Sequence, residues 1–421
     1  MKNTFKLKIK LTFIVLLLLC QVIQAQNETE NDSINKQLVT PESDLREQVL
    51  KTAREHLVSS DFPGSWPMFG TDFRMKIGGY LKADFLYDMD GTLDKTQFLM
   101  STIPVEGQPE YDNEGYLSFF VKETRIHIDL RRFSDKKLPI HLFIEGDFFS
   151  EGNQFRLRHA YISAGDFIIG QTWTTLSFLE SMAFMIDFAA GDALFGGRSA
   201  QIRYQNQLND KLKMSIGLEY LSNLGIENPN NLSGQASVQL PLLALRFDYR
   251  WKTGVLFLGS SIAQLRWDGG ATGPKDQTLQ YDFVVAGRQY IGDNNYFTYN
   301  FSYGKAYGNN IIAFASSNSN AVLNAQGELD PMPAAALMAG FMHRWHPKLE
   351  SNINYAYGWL DAPDSRAPFA LKRGGIGHLN LIYKYGKNFS IGAEYMWGAQ
   401  RTNNDAFGNA GRIQTMAKFD F

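Results

Sequence analysis

From Arg74 to the last residue, apolar and polar side chains alternate with a period of two. In "RMKIGGYLKADFLY" the residues Met75, Ile77, Leu81, Ala83, Phe85 and Tyr87 fall on one face, and Arg74, Lys76, Lys82 and Asp84 on the other. "TRIHIDLR" sets Ile126, Ile128 and Leu130 against Arg125, His127, Asp129 and Arg131, and "LALRFDYRW" sets Leu245, Phe247, Tyr249 and Trp251 against Arg246, Asp248 and Arg250. Successive side chains of a strand point to opposite faces, so this period predicts strands along most of the chain. The chain closes on "RIQTMAKFDF", with Ile413, Thr415, Ala417, Phe419 and Phe421 on one face. A frayed terminus is normally polar; an alternating strand ending in an aromatic is built to lie in something.

A soluble sandwich alternates too, so the period alone does not decide the class. Three further features do. The polar face is rich in Arg, Asp and Glu, which suits a wet interior. Aromatic pairs gather near the ends of the apolar faces, as at Tyr249 and Trp251, Tyr383 and Tyr385, and Tyr395 and Trp397; aromatic girdles mark the two interfaces of a bilayer. The connections alternate in length. Strands fall near 74–88, 118–132, 139–149, 154–164, 166–173, 199–208, 211–221, 242–251, 254–266, 280–291, 294–306, 335–346, 349–360, 376–386, 388–398 and 410–421. Short turns such as "ND", "KT", "HP" and "GK" alternate with long loops around 89–117, 174–198, 222–241, 267–279, 307–334, 361–375 and 399–409, and only the connection at 150–153 breaks the pattern. The pattern predicts an all-β fold, a transmembrane antiparallel β-barrel of about 16 strands. The turns are periplasmic, Phe421 lies at the periplasmic interface, and the final strand pairs with the strand near 74–88 to remove the sheet edges.

The segment before the barrel has another character. "MKNTFKLKIKLTFIVLLLLCQVIQAQ" carries a basic start, an apolar run from Leu11 to Leu19 and a small residue at Ala25, the plan of a secretory signal peptide over 1–25. Cys20 is the only cysteine, and Leu19 before it is not the small residue a lipoprotein site needs. Residues 26–71 form a polar periplasmic segment, in which "LREQVLKTAREHL" is either a solvated leader or a short helix that self-associates; the barrel takes 72–421. Apart from the leader, no segment has the ~18 uninterrupted apolar residues of a spanning helix. The net charge of −2 offers no basic stripe for nucleic acid.

With the polar face turned inward, the wall carries an excess of basic residues, Arg125, Arg156, Arg158, Arg203, Arg246 and Arg266 among them. Fixed guanidinium groups bind carboxylate or phosphate and favour anions in a pore. The competing reading is that these charges pair across strands and brace the wall. The stretch "QTWTTLSFLESMAFMIDFAAGDALFGGRS" is too long for a turn and carries Glu180, Asp187, Asp192 and Arg198. It either folds into the lumen as a constriction, with its acids facing the wall arginines, or caps the outside.

The motif "RLRHAYISAGDFIIGQTWTTL", followed by "DF" and "RSAQIRYQ", resembles the DcaP-like family of outer-membrane porins, as does the closing "FSIGAEYMWGAQRTNNDAFGNAGRIQTMAKFDF". The resemblance covers most of 72–421. It implies a 16-stranded barrel, a homotrimer among outer-membrane lipids, an N-terminal segment able to form a trimeric coil, and uptake of small anionic solutes such as dicarboxylates. It places lumenal arginines at Arg156, Arg158 and Arg203. The alternative is a barrel enzyme or metal site. Its candidates are His127 and His141, set to face each other across a hairpin, with Glu123 and Glu145 nearby, but their spacing is not of the zinc type. Neither a nucleophile motif nor a phosphate loop occurs. The sequence therefore predicts a passive outer-membrane channel with no cofactor.

Overall fold

The structure, a computed structural model, describes residues 61–68, 71–133, 137–189 and 191–421. The expected signal peptide and residues 26–60, read as a leader or a short helix, lie outside the described residues.

Sixteen antiparallel barrel strands follow one another in chain order. They are β1 (Phe73–Asp88), β2 (in two pieces, Tyr116–Phe120 and Arg125–Arg132), β3 (Ile140–Asp147), β4 (Arg156–Ala164), β5 (Phe167–Trp173), β6 (Arg198–Gln207), β7 (Leu212–Glu219) and β8 (Leu242–Trp251). The second half comprises β9 (Gly254–Asp268), β10 (Lys275–Ile291), β11 (Asn295–Lys305), β12 (Pro333–His346), β13 (Leu349–Leu360), β14 (Leu371–Tyr385), β15 (Phe389–Thr402) and β16 (Phe407–Asp420). Each pairs with its neighbours, and β16 returns to β1 from Tyr80↔Asp420 to Asp88↔Arg412. Phe421 completes the seam, exchanging backbone hydrogen bonds with Gly79 at 3.2 and 3.1 Å. Closure leaves no strand edge for lipid to face.

The period of two sets the two faces as the sequence predicts. Ile77, Leu81 and Phe85 on β1, and Phe419 on β16, are exposed on the outside, while Lys82, Asp84, Gln414 and Met416 are buried inside. Two irregularities shape the inner wall. β2 is interrupted between Phe120 and Arg125, which lets Glu123 reach Lys82 and the Tyr80 hydroxyl (2.9 Å). A bulge in the β3–β4 pairing at Glu145/Gly146 turns both Arg158 and His159 inward.

The strands of the second half outrun the membrane. β10 begins at Lys275, β14 at Leu371, and β15 and β16 leave only 403–406 between them. The loops expected at 267–279 and 399–409 are therefore largely strand. A transmembrane strand needs about 9–11 residues, so these ladders project beyond the bilayer on the long-loop side.

The remaining long connections are L1 (89–115), L2 (148–155), L3 (174–197), L4 (220–241), L6 (306–332) and L7 (361–370). L1, L3 and L6 fold together inside the barrel mouth. Their Phe98, Met100, Leu194, Phe195, Ile311 and Phe314 share one apolar cluster with inward residues of the wall such as Ala336, Met338, Ile376 and Met396. Residues on L4 and L6 add a small three-stranded cap, Ile226–Glu227, Ala321–Leu323 and Leu329–Pro331.

Candidate functional site

L3 lies within the lumen. It leaves β5 and is held by one inward side chain after another. Glu219 accepts the Thr175 N–H, Arg246 donates to the carbonyls of Thr175 (2.9 Å) and Ser177 (3.2 Å), and Arg288 donates to those of Glu180 (2.9 Å) and Met182 (3.2 Å). Asn300 reaches Ser181 and Asn380 reaches the Phe184 carbonyl, at 3.0 and 2.8 Å. At the tip, Glu394 accepts the N–H groups of Ile186 (2.8 Å) and Asp187 (3.0 Å), and Lys82 donates to the Ile186 carbonyl (2.6 Å). Every free backbone group in a dry interior needs such a partner. The supports come from β7, β8, β10, β11, β14, β15 and β1, and none of these hydrogen bonds comes from the β2–β6 sector.

That sector carries a ladder of charges. Arg156 forks the Asp147 carboxylate (2.9 and 2.8 Å) and keeps 34% of its side chain accessible. Arg158 is buried to 2% and bridges Glu145 (3.1 Å) and Asp147 (2.6 Å). Arg125 stands at 3.8 and 4.0 Å from Glu123 and Glu145, lies over the Tyr80 ring, and has its Nε without a hydrogen-bond partner among the described residues. Arg203 is held by Gln201 (2.9 Å) and the Trp173 carbonyl, and Arg198 lies over the Trp173 ring at 4.9 Å. No carboxylate pairs with Arg198 or Arg203 among the described residues; Glu219, close to Arg203, spends its oxygen on Thr175.

L2 meets L3 through an aromatic contact. Phe149 of L2 and Phe188 of L3 stack with ring centroids 4.0 Å apart and planes 13° apart. The Arg156 guanidinium lies 5.6 and 5.5 Å from the two rings, and that of Arg158 lies 5.6 Å from Phe188. Leu86 and Phe120 back the stack. Neither phenylalanine was among the residues expected from sequence, although "GDFFSEG" and "MIDFAAG" place aromatics in segments that a strand pattern leaves unaccounted for.

Several expected site residues sit elsewhere than predicted. Arg266 is on the outer face, sharing its parity with the exposed Leu258 and Ile262, and pairs with Asp268 at 3.3 Å. At that height the interior is apolar, packed by Leu265 and Trp267 against the loops, so the face assignment inverts. Arg246 faces inward but is spent on Asp248 and L3. Asp187 and Asp192 do not face the wall arginines. They are buried inside the plug, where Asp187 accepts the Phe98 N–H (3.2 Å) and Asp192 the Met100 N–H (2.6 Å) of L1. Burial pushes both carboxyls up to about 7. Glu180 alone meets a wall arginine, Arg250, whose hydrogen bond holds its carboxyl below the usual range. Arg198 is the first residue of β6 rather than part of the loop.

His127 and His141 do not face each other across the hairpin. His127 pairs in register with Glu145 and His141 with Arg131. Both rings, with that of His159, pack around Phe143 at 5.3, 6.0 and 6.1 Å. Among the described residues no three His, Cys, Asp or Glu side chains converge on a metal position.

The barrel is similar to solved outer-membrane channels. The crystal structure of the outer membrane channel DcaP of Acinetobacter baumannii matches with a TM-score of 0.73 at 18% identity, covering 85% of this chain and 100% of that one. OmpT, an outer membrane protein of Vibrio cholerae, matches with a TM-score of 0.53 at 13% identity over 84% of this chain and 99% of its own. OmpF of Salmonella typhi, solved with daunomycin, matches at 0.52 and 11% identity, over 84% of this chain and 99% of its own. No curated protein sequence matches significantly. At these identities the structures establish the fold. The model of the DcaP outer membrane protein family matches residues 19–421, nearly the whole chain, and the chain therefore belongs to that family, as an outer-membrane β-barrel channel.

Proposed function

We propose that the channel conducts small hydrophilic solutes passively and favours small anions, dicarboxylates among them, over cations. The observation that carries this reading is the imbalance in the β2–β6 sector of the lumen. Arg125, Arg156 and Arg158 are matched by Glu123, Glu145 and Asp147, and Arg198 and Arg203 then add guanidinium groups with no ion-pair partner among the described residues. A solute squeezed past the Phe149–Phe188 stack meets the accessible edge of Arg156. Fixed positive charge in a narrow, low-dielectric passage raises the local concentration of anions without a deep trap. No catalytic step belongs to this reading. The protein works as a homotrimer, a state in which the V. cholerae OmpT has been solved, with 1–25 as export signal and 26–71 on the periplasmic side.

Reversal potentials across planar bilayers under a salt gradient test it. A positive shift toward the anion equilibrium potential is expected; a cation-selective channel overturns the preference, and absence of conductance overturns the channel reading.

A further inference from the structure

On the outside of the barrel, at its long-loop end, a groove of ≈ 570 Å³ runs across β13–β16. Its floor is glycine. A Cβ on Gly375 would fall 2.3 Å from the Tyr355 hydroxyl, and one on Gly377 2.1 Å from the Trp397 ring, so both aromatics lie flat against the sheet. Tyr395 stacks beside Trp397 at 6.0 Å. Above them Arg373 and Arg401 are direct cross-strand partners. Like charges in that position repel, yet among the described residues neither pairs with a carboxylate. Arg401 donates only to the Asp405 carbonyl (3.0 Å) and lies over Phe407, and Asp90, which also lines the groove, is engaged by the Gly411 N–H (2.7 Å).

Height identifies what could sit between the two arginines. Arg373 is ten residues along β14 from Tyr383 at the periplasmic girdle. That is ~33 Å of strand, and a tilt of about 45° reduces it to ~23 Å. The apolar band is about 25 Å tall, so the arginines stand level with the headgroups of the outer leaflet. Among the described residues, the strands of a second copy supply no free acid at this level. The outward positions of its strands at the long-loop end hold one carboxylate, Asp268, already paired with Arg266 and Lys275.

We infer that this groove binds a phosphorylated glycolipid of the outer leaflet, its phosphate between Arg373 and Arg401 and its apolar portion on Tyr355, Tyr395 and Trp397. Guanidinium forks match phosphate oxygens, and the aromatic belt receives the acyl–sugar junction.

The test is native mass spectrometry of the full-length protein in detergent, titrated with diphosphorylated lipid A, with its dephosphorylated form and with phosphatidylethanolamine. Preferential binding of the phosphorylated lipid is expected, with inorganic phosphate failing to displace it. Arg373→Gln with Arg401→Gln should weaken binding by roughly tenfold or more, and the paired Lys variant should restore part of it. Gly411→Leu, which fills the groove and leaves the arginines in place, should weaken it independently. Heat-modifiable mobility and unchanged conductance establish that each variant is folded. Equal binding by folded Gln variants, or by all three lipids, overturns the site. Loss of the oligomer with lipid binding intact also overturns it, and makes the groove a contact between protomers.

Discussion

The carboxylate of Glu394 on β15 accepts the backbone N–H of Ile186, 208 positions away in sequence, at 2.8 Å. A wall side chain thereby fixes the tip of L3 inside the barrel, and the same carboxylate takes Asp187 N–H, His378 and Asn380. Glu394→Ala leaves those donors buried and unpaired, a cost of about 1–3 kcal/mol for each that water cannot reach. Hydrogen exchange at residues 184–187 should accelerate and open-channel noise should rise, while the barrel keeps its heat-modifiable mobility. Unchanged exchange at the tip would refute the latch.

The Phe149–Phe188 stack joins L2 to L3 across the passage. Phe188→Ala and Phe149→Ala should each raise single-channel conductance by roughly half or more, since a hydrophobic constriction limits both water and ion occupancy. The double variant should add little to either single one, because each alone breaks the same contact. Additive increases would mean that the rings act separately.

Arg156 and Arg266 form a matched pair for selectivity. Arg156 faces the lumen and retains accessible surface, whereas Arg266 faces outward. Arg156→Ala should lower the anion-to-cation permeability ratio by roughly twofold, and Arg266→Ala should leave it alone. Arg158 is a poor probe. Its removal takes Glu145's nearest cation and one of the two guanidinium partners of the buried Asp147, and should cost up to about 3–5 kcal/mol of stability. Equal effects of Arg156→Ala and Arg266→Ala on reversal potential would contradict the assigned faces.

Asp187 and Asp192 make the plug sensitive to pH. Their carboxyls stand near 7 in the folded loops against a usual 3.8, so between these values the folded state holds more protons than the unfolded one. Stability of the L1–L3 contact therefore falls as pH rises from about 4 through about 7. Among the described residues the buried Oδ1 of Asp192 has no partner, as suits a group favoured in its neutral form. Protease cleavage within L1 and L3 should be slower at pH 5 than at pH 8, and Asp192→Asn should flatten the difference. The opposite slope would reverse the assignment.

What the sequence determined by itself is everything that follows from a period of two. Side-chain alternation is local, so the strands, their inward and outward faces within the bilayer, and the closing role of "RIQTMAKFDF" could be read without any knowledge of long-range contacts. Arg156 and Arg158 were legible for the same reason, as was L3, an apolar-acidic stretch too long for a turn. The tertiary structure decided what each charge meets. Asp187 and Asp192 look like free loop acids until L1 folds over them and their carboxyls become caps for Phe98 and Met100. Arg266 looks lumenal until the loops fill the mouth with Leu265 and Trp267 and turn the polar face outward. Glu394 was legible only as one lumenal acid among several, and Phe188 only as an aromatic in a stretch too long for a turn. Their importance lies in contacts between segments far apart in the chain, and only closure of the barrel, which places β15 opposite the tip of L3, brings those groups within bonding distance.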